Sequence, residues 1–293
     1  MRIAALAISL LIAIPSHAQT ENITYESSEV APGFFMTVGN NPDGAFGGGT
    51  SGFIVTEDYV ALVDDGLAPP APAMVAHITE VAGKAPDFLV NTHYHGDHTG
   101  ANALFAEKGT VVFAHHALRE RLLANPASAG GDAGIPVVTF DEGVTFHMND
   151  VEAEVIHLPA AHTDGDAIVV AQNANVIFAG DIVFNEIFPF IDLDGGGSVD
   201  GFIAAQRRIA EMADDKTVII PGHGELANLD SMHKNIAMLV EGQKRVSKLV
   251  DAGKSEDEAV AANPLSDFAA TFDWYFINAE RMTRTFYKDL TGK

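Results

Sequence analysis

The stretch NTHYHGDHTG (91–100) holds three histidines and an aspartate within six consecutive residues, directly after a short apolar run. Imidazole and carboxylate groups are the ordinary protein ligands of zinc and of the neighbouring transition metals. On an extended strand end, His93 and His95 are two residues apart and point the same way. Asp97 and His98 lie on the following turn, where they can face a second position. This loop is therefore predicted to supply ligands to two adjacent metal ions.

Three later stretches each place one more candidate ligand just beyond a short apolar segment: His162 in AHTDGD, Asp181 in FAGD and His223 in PGHG. Loops at one edge of packed sheets converge, and the glycines and prolines beside these residues suit tight turns. A merely polar turn is the alternative for the first tract alone. The additional residues favour a metal centre.

Segments rich in β-branched and aromatic residues predict strands, and apolar residues at helical spacing predict helices. The predicted strands lie at 34–38, 52–58, 59–65, 87–93, 110–115, 136–140, 144–148, 151–158, 167–172, 176–180 and 217–220. The predicted helices lie at 69–82, 102–108, 117–124, 200–213, 232–250 and 273–287, with one more that begins at a capping box over 255–258.

Strands that alternate with helices, without a short-period repeat or a low-complexity linker, favour one α/β (α+β) domain over residues 19–293. The expected architecture is an αββα four-layer sandwich of two mixed β-sheets flanked by helices. The scheme of strands and helices recurs in the second part of the chain. This recurrence predicts two pseudo-repeat halves, at about 23–165 and 166–293.

Residues 1–18, MRIAALAISLLIAIPSHA, combine one basic residue, an apolar run and small residues at the end, which is typical of a secretory signal peptide. The apolar run is shorter than the roughly 18–20 residues that a membrane anchor needs. No later segment is long and apolar enough to span a bilayer either. The sequence therefore predicts an exported protein, periplasmic or secreted, that does not reside in a membrane.

The chain has no cysteine, so every metal ligand must be a nitrogen or an oxygen atom. Its formal net charge of −23 repels phosphate backbones and anionic lipid surfaces. This charge argues against nucleic acid and membranes as partners. The expected partner is a small-molecule substrate, and the oligomeric state stays open.

The tract HYHGDH (93–98), followed in order by His162, Asp181 and His223, resembles the metallo-β-lactamase fold superfamily of dinuclear zinc hydrolases. The resemblance covers nearly all of residues 30–225. It implies two groups of three ligands joined by one bridging carboxylate: His93, His95 and His162 for the first ion, Asp97, His98 and His223 for the second, and Asp181 between the two.

The resemblance implies two Zn²⁺ ions per chain, with iron or manganese as open alternatives. A water molecule shared between two such ions has a pKa of about 7 or below, far under that of bulk water. The resemblance thus implies that a bridging hydroxide would be available at neutral pH to attack an acyl carbonyl, while the metals would stabilise the oxyanion and the leaving group. Asp97 is the candidate catalytic residue.

Export would bring the enzyme to the compartment where β-lactams meet their targets, so hydrolysis of a β-lactam-type cyclic amide is the first candidate activity. One large β-lactamase subclass has a cysteine at the position of Asp181, and this chain has none. The pair Asp97 and Asp181 is more similar to the broader branch that includes lactone and thioester hydrolases, which are the alternative. A mononuclear iron oxygenase and a protein that only stores metal are further alternatives.

Two loops are candidates for contact with the substrate. The resemblance implies that the glycine-rich hairpin loop 44–52 overhangs the metals, which makes Phe46 a candidate contact. The stretch 184–201 sets apolar side chains beside a glycine run, which predicts a mobile lid or a substrate wall. Its candidate residues are Phe184, Ile187, Phe188 and Phe190. The alternative is that these side chains pack under the next helix.

Four further residues are candidates for hydrogen bonds that fix the tautomers of ligand imidazoles. Asp164 and Asp166 follow His162 closely, and a merely polar turn is the alternative. His115 and His116 end a predicted strand on the same side of the sheet as the ligands.

Overall fold

The computed structural model describes residues 22–292, so the predicted signal peptide lies outside the described residues. In that range the first sheet contains seven strands in sequence order: β1 (Thr24–Ala31), β2 (Phe34–Asn40), β3 (Ser51–Val55), β4 (Val60–Val63), β5 (Phe88–Val90), β6 (Val111–His115) and β7 (Val138–Phe140). The second sheet contains β8 (Gly143–Met148), β9 (Val151–His157), β10 (Ala167–Ala171), β11 (Val176–Phe184) and β12 (Val218–His223), with β8 and β12 at its edges.

Helices lie between and after these strands, mostly close to the predicted positions. They are α1 (Ala71–Ala82), α2 (Gly96–Thr99), α3 (Asn102–Glu107), α4 (His116–Ala124), α5 (Val199–Met212), α6 (Leu229–Asp251), α7 (Glu256–Ala261), α8 (Ala269–Phe272) and α9 (Ala279–Thr291). Among residues 22–292, none of the helices combines the length and the apolar character that a bilayer span needs.

Both sheets are mixed. Strands β1 to β4 are antiparallel neighbours, whereas β4 to β7 are parallel. In the second sheet β8 to β11 are antiparallel, and β12 returns parallel to β11 after the crossover through α5. The carboxyl ends of β5, β9, β11 and β12 consequently lie at one edge of the sandwich, where the predicted ligand loops begin.

Apolar side chains fill three layers between these elements. The central cluster draws on both sheets, with Ile54 and Val63 from the first sheet facing Val155, Val169 and Phe178 from the second. Helices α1 and α3 cover the outer face of the first sheet, and α5 and α6 cover the outer face of the second. This succession of helix, sheet, sheet and helix confirms the predicted αββα sandwich.

The ends of the C-terminal helices follow from capping residues. Helix α6 begins earlier than predicted because Asn228 Oδ1 accepts from Ser231 N and Ser231 Oγ accepts from Asn228 N, both at 3.0 Å. The predicted capping box of Ser255 and Glu258 is confirmed at the start of α7. Each such cap stabilises its helix by about 1 kcal/mol.

The prediction of a helix over 273–287 is wrong at its start. Asn278 Oδ1 accepts a hydrogen bond from Arg281 N at 2.9 Å, which makes Asn278 the N-cap of α9. Asp273 Oδ1 accepts from Ala279 N at 2.7 Å and holds the preceding segment away from the helix axis. The residues before Asn278 therefore form a loop.

The predicted boundary between two halves, near residue 165, differs from the boundary between the sheets. Strand β9 pairs with β10, with Val155 opposite Val169, so the hairpin of β8 and β9 belongs to the second sheet. This sheet already begins at Gly143. Alternating burial along β9 explains the difference, because its inward side chains, such as Val155, need the central core that the second sheet shares.

Candidate metal centre

All seven predicted ligands meet at the edge where the carboxyl ends of β5, β9, β11 and β12 lie. Asp181 projects from within β11, and His223 is the last residue of β12. Solvent reaches 5% or less of the surface of His93, His98, His162 and Asp181. Burying this many titratable groups is costly unless they are paired or bind cations.

The two carboxylate oxygens of Asp181 face different sets of nitrogen atoms. Oδ2 lies 3.5 Å from His93 Nε2 and 3.3 Å from His162 Nε2. Oδ1 lies 3.1 Å from His98 Nε2 and 3.4 Å from His223 Nε2. We define two sets accordingly: the first ligand group (His93, His95 and His162) and the second ligand group (Asp97, His98 and His223). Asp181 stands between them as a bridge would.

The remaining member of each group completes it. His95 Nδ1 lies 2.9 Å from His162 Nε2, inside the first ligand group. Asp97 Oδ2 lies 3.4 Å from His223 Nε2 and 3.6 Å from His98 Nε2, inside the second. In each group the ligand atoms lie within 4.8 Å of one another, so a single cation can reach all of them.

Hydrogen bonds behind the first ligand group decide which ring nitrogen carries the proton. His162 Nδ1 donates to the backbone oxygen of Phe190 at 2.7 Å, and His95 Nε2 donates to Asp192 Oδ2 at 3.0 Å. Both acceptors lack protons, so these outer nitrogens must be the protonated ones. His162 Nε2 and His95 Nδ1 therefore face each other with lone pairs at 2.9 Å. A cation bound by both nitrogens would turn this repulsion into ligation.

The other two imidazoles of the first tract are oriented in the same way. His98 Nδ1 donates to Asp64 Oδ2 at 2.9 Å. Thr92 Oγ1 donates to Asp64 Oδ2 at 2.7 Å and accepts from His93 Nδ1 at 3.1 Å. Within the described residues, His93 Nε2, His98 Nε2 and Asp181 Oδ1 then have no hydrogen-bond partner.

These atoms without partners all point into the centre, and each costs about 1–3 kcal/mol if nothing compensates it. Imidazole nitrogens together with two carboxylates are a donor set for divalent cations of the zinc type. The residues therefore fit a pair of divalent cations, one in each ligand group, with the Asp181 carboxylate shared between them.

The pKa values agree with this arrangement. Burial lowers the pKa of His162 to about 4 and that of His93 well below its ordinary value, so both are neutral, as ligation requires. Burial raises the pKa of Asp181, but the surrounding histidines, His223 and His98 before the others, together outweigh this effect, and the pKa lies well below its ordinary value. Burial lowers the pKa of His223, but Asp181 and Asp97 raise it to about 9. The two carboxylates thus require a compensating proton or cation.

Sequence reasoning missed the two acidic residues behind the ligands, Asp64 and Asp192. Asp64 follows β4, the parallel neighbour of β5, and an acidic pair at the end of a strand beside the ligand strand is a pattern that indicates such a role. Asp192 is 97 residues from His95 in the chain, and no local pattern connects them.

Two of the predicted outer partners stabilise loops instead of imidazoles. Asp164 forms a salt bridge with Arg121, whose Nη2 lies 2.6 Å from Asp164 Oδ2. Asp166 accepts from the backbone N–H of Thr163 at 2.8 Å and from its hydroxyl at 2.5 Å. Burial raises the pKa of Asp166 to about 8. Both residues thus shape the turn after His162.

The other two predicted outer partners lie behind this turn. The ring of His115 stacks on that of His157 at 3.8 Å between centroids. His116 Nδ1 lies 2.8 Å from the exposed carboxylate of Asp141. For neither does the described part of the chain contain a hydrogen bond to a ligand imidazole.

Of the predicted substrate contacts, Phe46 and Phe190 lie beside the ligands. The ring of Phe46 is 5.7 Å from that of His223, and the ring of Phe190 is 5.8 Å from that of His95. Both are partly exposed. Ile187 is partly buried against the core of the C-terminal helices.

The prediction that Phe184 and Phe188 contact the substrate is wrong, because their exposed fractions are 2% and 0%. Phe184 stacks on the His223 ring at 4.9 Å and so supports a ligand from behind. Phe188 packs on Phe272 at 5.6 Å, inside the core of the C-terminal helices. For these two side chains the packing alternative holds.

The stretch 184–201 is tied to its surroundings at several points. Asp192 N donates to the backbone oxygen of His162 at 3.0 Å, and Phe188 N donates to that of Phe272 at 2.8 Å. These bonds, together with the contact of His162 to Phe190, favour a fixed wall behind the first ligand group over a mobile lid.

A second aromatic segment, which sequence reasoning assigned to a helix, lies at the centre. We call residues 273–278 the aromatic loop. The ring of Trp274 is 5.8 Å from that of His223, the ring of Tyr275 is 6.1 Å from Phe46, and the ring of Phe276 is 5.5 Å from Phe190. The run WYF was the available indication, since three consecutive aromatics do not suit one face of a helix.

Comparison with known proteins gives a family and several relatives. A family model described as the metallo-beta-lactamase superfamily matches residues 44–223. An uncharacterized protein of Aquifex aeolicus is 31% identical over 46% of this chain and 66% of its own length. The acyl-coenzyme A thioesterase MBLAC2 of Gallus gallus is 25% identical over 57% of this chain and 64% of its own. A hydroxyacylglutathione hydrolase of Nitrosococcus oceani is 28% identical over 48% and 49%. The matches thus span less than two thirds of each of these relatives.

Solved structures share the fold. A metallo-beta-lactamase from Pontibacter korlensis matches with a TM-score of 0.63 and 18% identity over 74% of this chain and 99% of that one. The DIM-1 metallo-beta-lactamase matches with a TM-score of 0.61 and 14% identity over 74% and 98%. At these identities the likeness concerns the fold alone. The α/β sandwich with two mixed sheets is the same architecture.

Proposed function

The chain belongs to the metallo-β-lactamase superfamily, and from this premise we propose that it is a dinuclear zinc hydrolase that opens acyl bonds. The observation that carries the proposal is Asp181, whose two oxygens face ligand groups on opposite sides. A centre for one cation has no need of such a residue. The geometry therefore favours two ions over the single iron of an oxygenase.

Divalent cations in this site would acidify a shared water molecule and polarise the substrate carbonyl. The residues of the chain set the charge balance around them. Apart from the shared Asp181 carboxylate, the first ligand group contains only imidazoles, so less of the positive charge on its side is offset. Asp97 and Asp181 offset part of the positive charge on the other side, and the buried surroundings exclude bulk water.

One side of the centre is open, and it determines how a substrate enters. The side chains of His95 and Asp97 are 21% and 18% exposed, whereas those of His93 and His98 are 1% and 0% exposed. A carbonyl group that approaches between His95 and Asp97 reaches both ligand groups at once. Asp97 therefore lies on the substrate side, which supports its role as the catalytic residue.

Among acyl bonds, we place thioesters and lactones before β-lactams. Similar proteins include an acyl-coenzyme A thioesterase and hydroxyacylglutathione hydrolases. The likeness to solved β-lactamases carries the fold alone. β-Lactam cleavage, the first candidate from the sequence, is kept as the second one because the predicted signal peptide would bring the chain to the compartment of β-lactam targets.

A panel assay tests the proposal. The zinc-loaded chain (19–293) is offered an acyl thioester, an acyl lactone and a chromogenic cephalosporin, and its metal content is measured. We expect about two zinc ions per chain and hydrolysis of at least one substrate, lost on chelation and restored by zinc. Asp97→Asn should lower kcat at least about 100-fold, and Asp194→Asn, an exposed control, should not. Full activity of Asp97→Asn, or one iron per chain with no hydrolysis, would contradict the proposal.

We propose in addition that the chain is exported after removal of residues 1–18. The support is the composition of that segment. N-terminal sequencing of the protein recovered from a periplasmic extract should begin at Gln19. An intact amino terminus on protein confined to the cytoplasm would contradict export without affecting the proposed chemistry.

A further inference from the structure

The aromatic loop presents one large side chain to solvent beside the metal centre. Tyr275 is 70% exposed. Single exposed aromatic side chains are common on protein surfaces, so exposure alone carries no weight. What distinguishes Tyr275 is its position, because its ring lies 6.1 Å from that of Phe46, which in turn lies 5.7 Å from that of His223.

Hydrogen bonds hold the aromatic loop in place. Trp274 Nε1 donates to the backbone oxygen of Phe188 at 2.8 Å, and Trp274 N donates to that of Ile277 at 3.1 Å. The Trp274 ring also lies 5.8 Å from the ring of His223. Tyr275 is therefore displayed from a fixed turn, and its ring needs little ordering when a ligand binds.

Phe46 is fixed from the other side of the opening. In the loop that carries it, Gly49 N donates to the backbone oxygen of Asp97 at 3.2 Å. A Cβ atom on Gly49 would overlap the imidazole of His98, so glycine is required where this loop passes the second ligand group. Phe46 and Tyr275 together form a continuous apolar surface beside that group, which we call the aromatic ledge.

The aromatic loop also reaches the first ligand group. Phe276 lies 5.5 Å from Phe190, whose ring is 5.8 Å from that of His95. The rings of Tyr275 and Phe276 are 6.5 Å apart. The open side between His95 and Asp97 is therefore bordered by aromatic rings at both ends.

Two basic side chains that contact the stretch 184–201 are paired with carboxylates. Arg121 is paired with Asp164 at 2.6 Å, and Lys234 is paired with a glutamate of the wall at 2.8 Å. Arg281 lies 4.9 Å over the ring of Phe276 and donates to its backbone oxygen. The net charge of −23 disfavours the approach of an anionic substrate. Arg281 contacts the aromatic loop, so an experiment must separate its effect on substrate binding from that of the aromatic ledge.

We propose that the aromatic ledge binds the apolar acyl group of an uncharged substrate, with the carbonyl between His95 and Asp97. This inference rests on the proposed acyl hydrolase function and names the substrate class of the same site. An acyl chain that covers one aromatic ring removes about 50–60 Å² of apolar surface from water, which corresponds to about tenfold in affinity.

The test compares the S-octanoyl and S-acetyl thioesters of N-acetylcysteamine, both uncharged, with the zinc-loaded chain. Tyr275→Ala should raise KM for the octanoyl thioester about tenfold and leave kcat and the acetyl thioester nearly unchanged, because uniform binding is lost. Tyr275→Phe should behave like the unaltered protein. Tyr59→Ala, which alters a partly exposed tyrosine directly before β4, is the matched control. Equal losses for both thioesters would overturn the ledge.

A third substrate separates binding of the acyl chain by the aromatic ledge from binding of a carboxylate by Arg281. The S-octanoyl thioester of mercaptoacetate carries the same acyl chain and adds a carboxylate. We expect kcat/KM for it to be lower than for the neutral thioester and to be unaffected by Arg281→Gln. A preference for the carboxylate that Arg281→Gln abolishes would assign recognition to Arg281 and overturn the proposal.

Binding can also be followed without turnover, because Trp274 is the only tryptophan of the chain and its ring is 5.1 Å from that of Tyr275. Octanamide should change its fluorescence saturably, and Tyr275→Ala should raise the Kd about tenfold. Such binding in a protein that hydrolyses no acyl substrate would support the ledge and contradict the proposed function. Hydrolysis with neither a fluorescence change nor a KM effect would contradict the ledge alone.

Discussion

The two ligand groups are supported by different parts of the fold. Behind the second ligand group, Asp64 lies at the end of β4, is 1% exposed and binds His98. Behind the first, Asp192 lies in the wall after β11, has a side chain 13% exposed and binds His95. The second group thus depends on the interior of the first sheet, and the first group depends on a loop that the second sheet carries.

This difference teaches that a dinuclear centre need not be one mechanical unit. A change behind one ligand group should weaken mainly one ion, because each group has its own acidic support. Asp64 also reaches the first group, through the hydrogen bonds of Thr92 to Asp64 and to His93. Asp181 is the exception, since it belongs to both groups. Substitutions at the three acidic residues therefore measure how far the two groups are independent.

The largest effect is expected for Asp181→Ala, which removes the shared carboxylate. Both ions should bind more weakly, and kcat/KM should fall by more than about 1000-fold. Zinc content after dialysis and steady-state kinetics check this. Asp194→Ala is the control, because it removes an exposed carboxylate from the stretch 184–201, and it should keep both ions. Retention of one ion at full affinity would show that Asp181 serves one group only.

Asp64→Ala should act on the second ligand group and on stability together. Thr92 donates to Asp64 through its backbone N–H and its hydroxyl, both at 2.7 Å, and both donors are buried. Leaving them without an acceptor costs about 1–3 kcal/mol each, and one ion should bind about 10–100-fold more weakly. Thermal unfolding of the metal-free chain and zinc titration separate the two losses. A loss of metal affinity without a loss of stability would contradict the claim that the second ligand group depends on the interior of the first sheet.

Asp192→Ala should act on the first ligand group with little change in stability, because Asp192 lies in a partly exposed loop. We expect one ion to bind about 10–100-fold more weakly, and Asp192→Glu to restore part of this. Cobalt substitution reports the altered site through its absorption spectrum. A melting temperature that falls as far as that of Asp64→Ala would refute the contrast between a loop support and a sheet support.

The same contrast explains what the sequence could predict. His93, His95, Asp97 and His98 form one local tract, and each later ligand stands near a strand end, so pattern and order were sufficient for them. Asp181 was expected just past a strand and lies inside one, because β11 continues to Phe184 beside β12. The prediction of the ligands depends on their order in the chain, so an error in the end of a strand does not affect it.

The acidic residue behind the first ligand group and the aromatic loop could not be predicted from the sequence, for a physical reason. Asp192 and Tyr275 contribute through contacts with residues remote in the chain, which periodicity and motifs do not encode. The helix predicted over 273–287 also hid the aromatic loop, because the apolar residues continue across the position where Asn278 caps the helix. Phe188 was misread for the same reason, because burial depends on the helices that pack on it.

The smallest expected effect is a loss of stability at acid pH, near the loop that carries His162 of the first ligand group. His115 stacks on His157, whose Nδ1 donates to the backbone oxygen of Asp166 at 2.8 Å, at the base of the loop that carries His162. Burial, and then the charge of His157, lowers the pKa of His115 to about 4. An unfolded histidine has a pKa of about 6.5. Between these values the unfolded chain binds a proton that the folded chain does not, so the free energy of unfolding decreases as the pH falls.

His115→Asn removes the imidazole that binds this proton. It keeps an acceptor at the N-cap of α4, where His115 Nδ1 accepts a hydrogen bond from Ala117 N. Relative to this variant, the unaltered protein should lose about 2 °C more in melting temperature between pH 7 and pH 5. Asp166, whose pKa burial raises to about 8, contributes to both proteins and cancels in the difference. An equal dependence on pH in the two proteins would mean that His115 does not make the support of the first ligand group sensitive to acid.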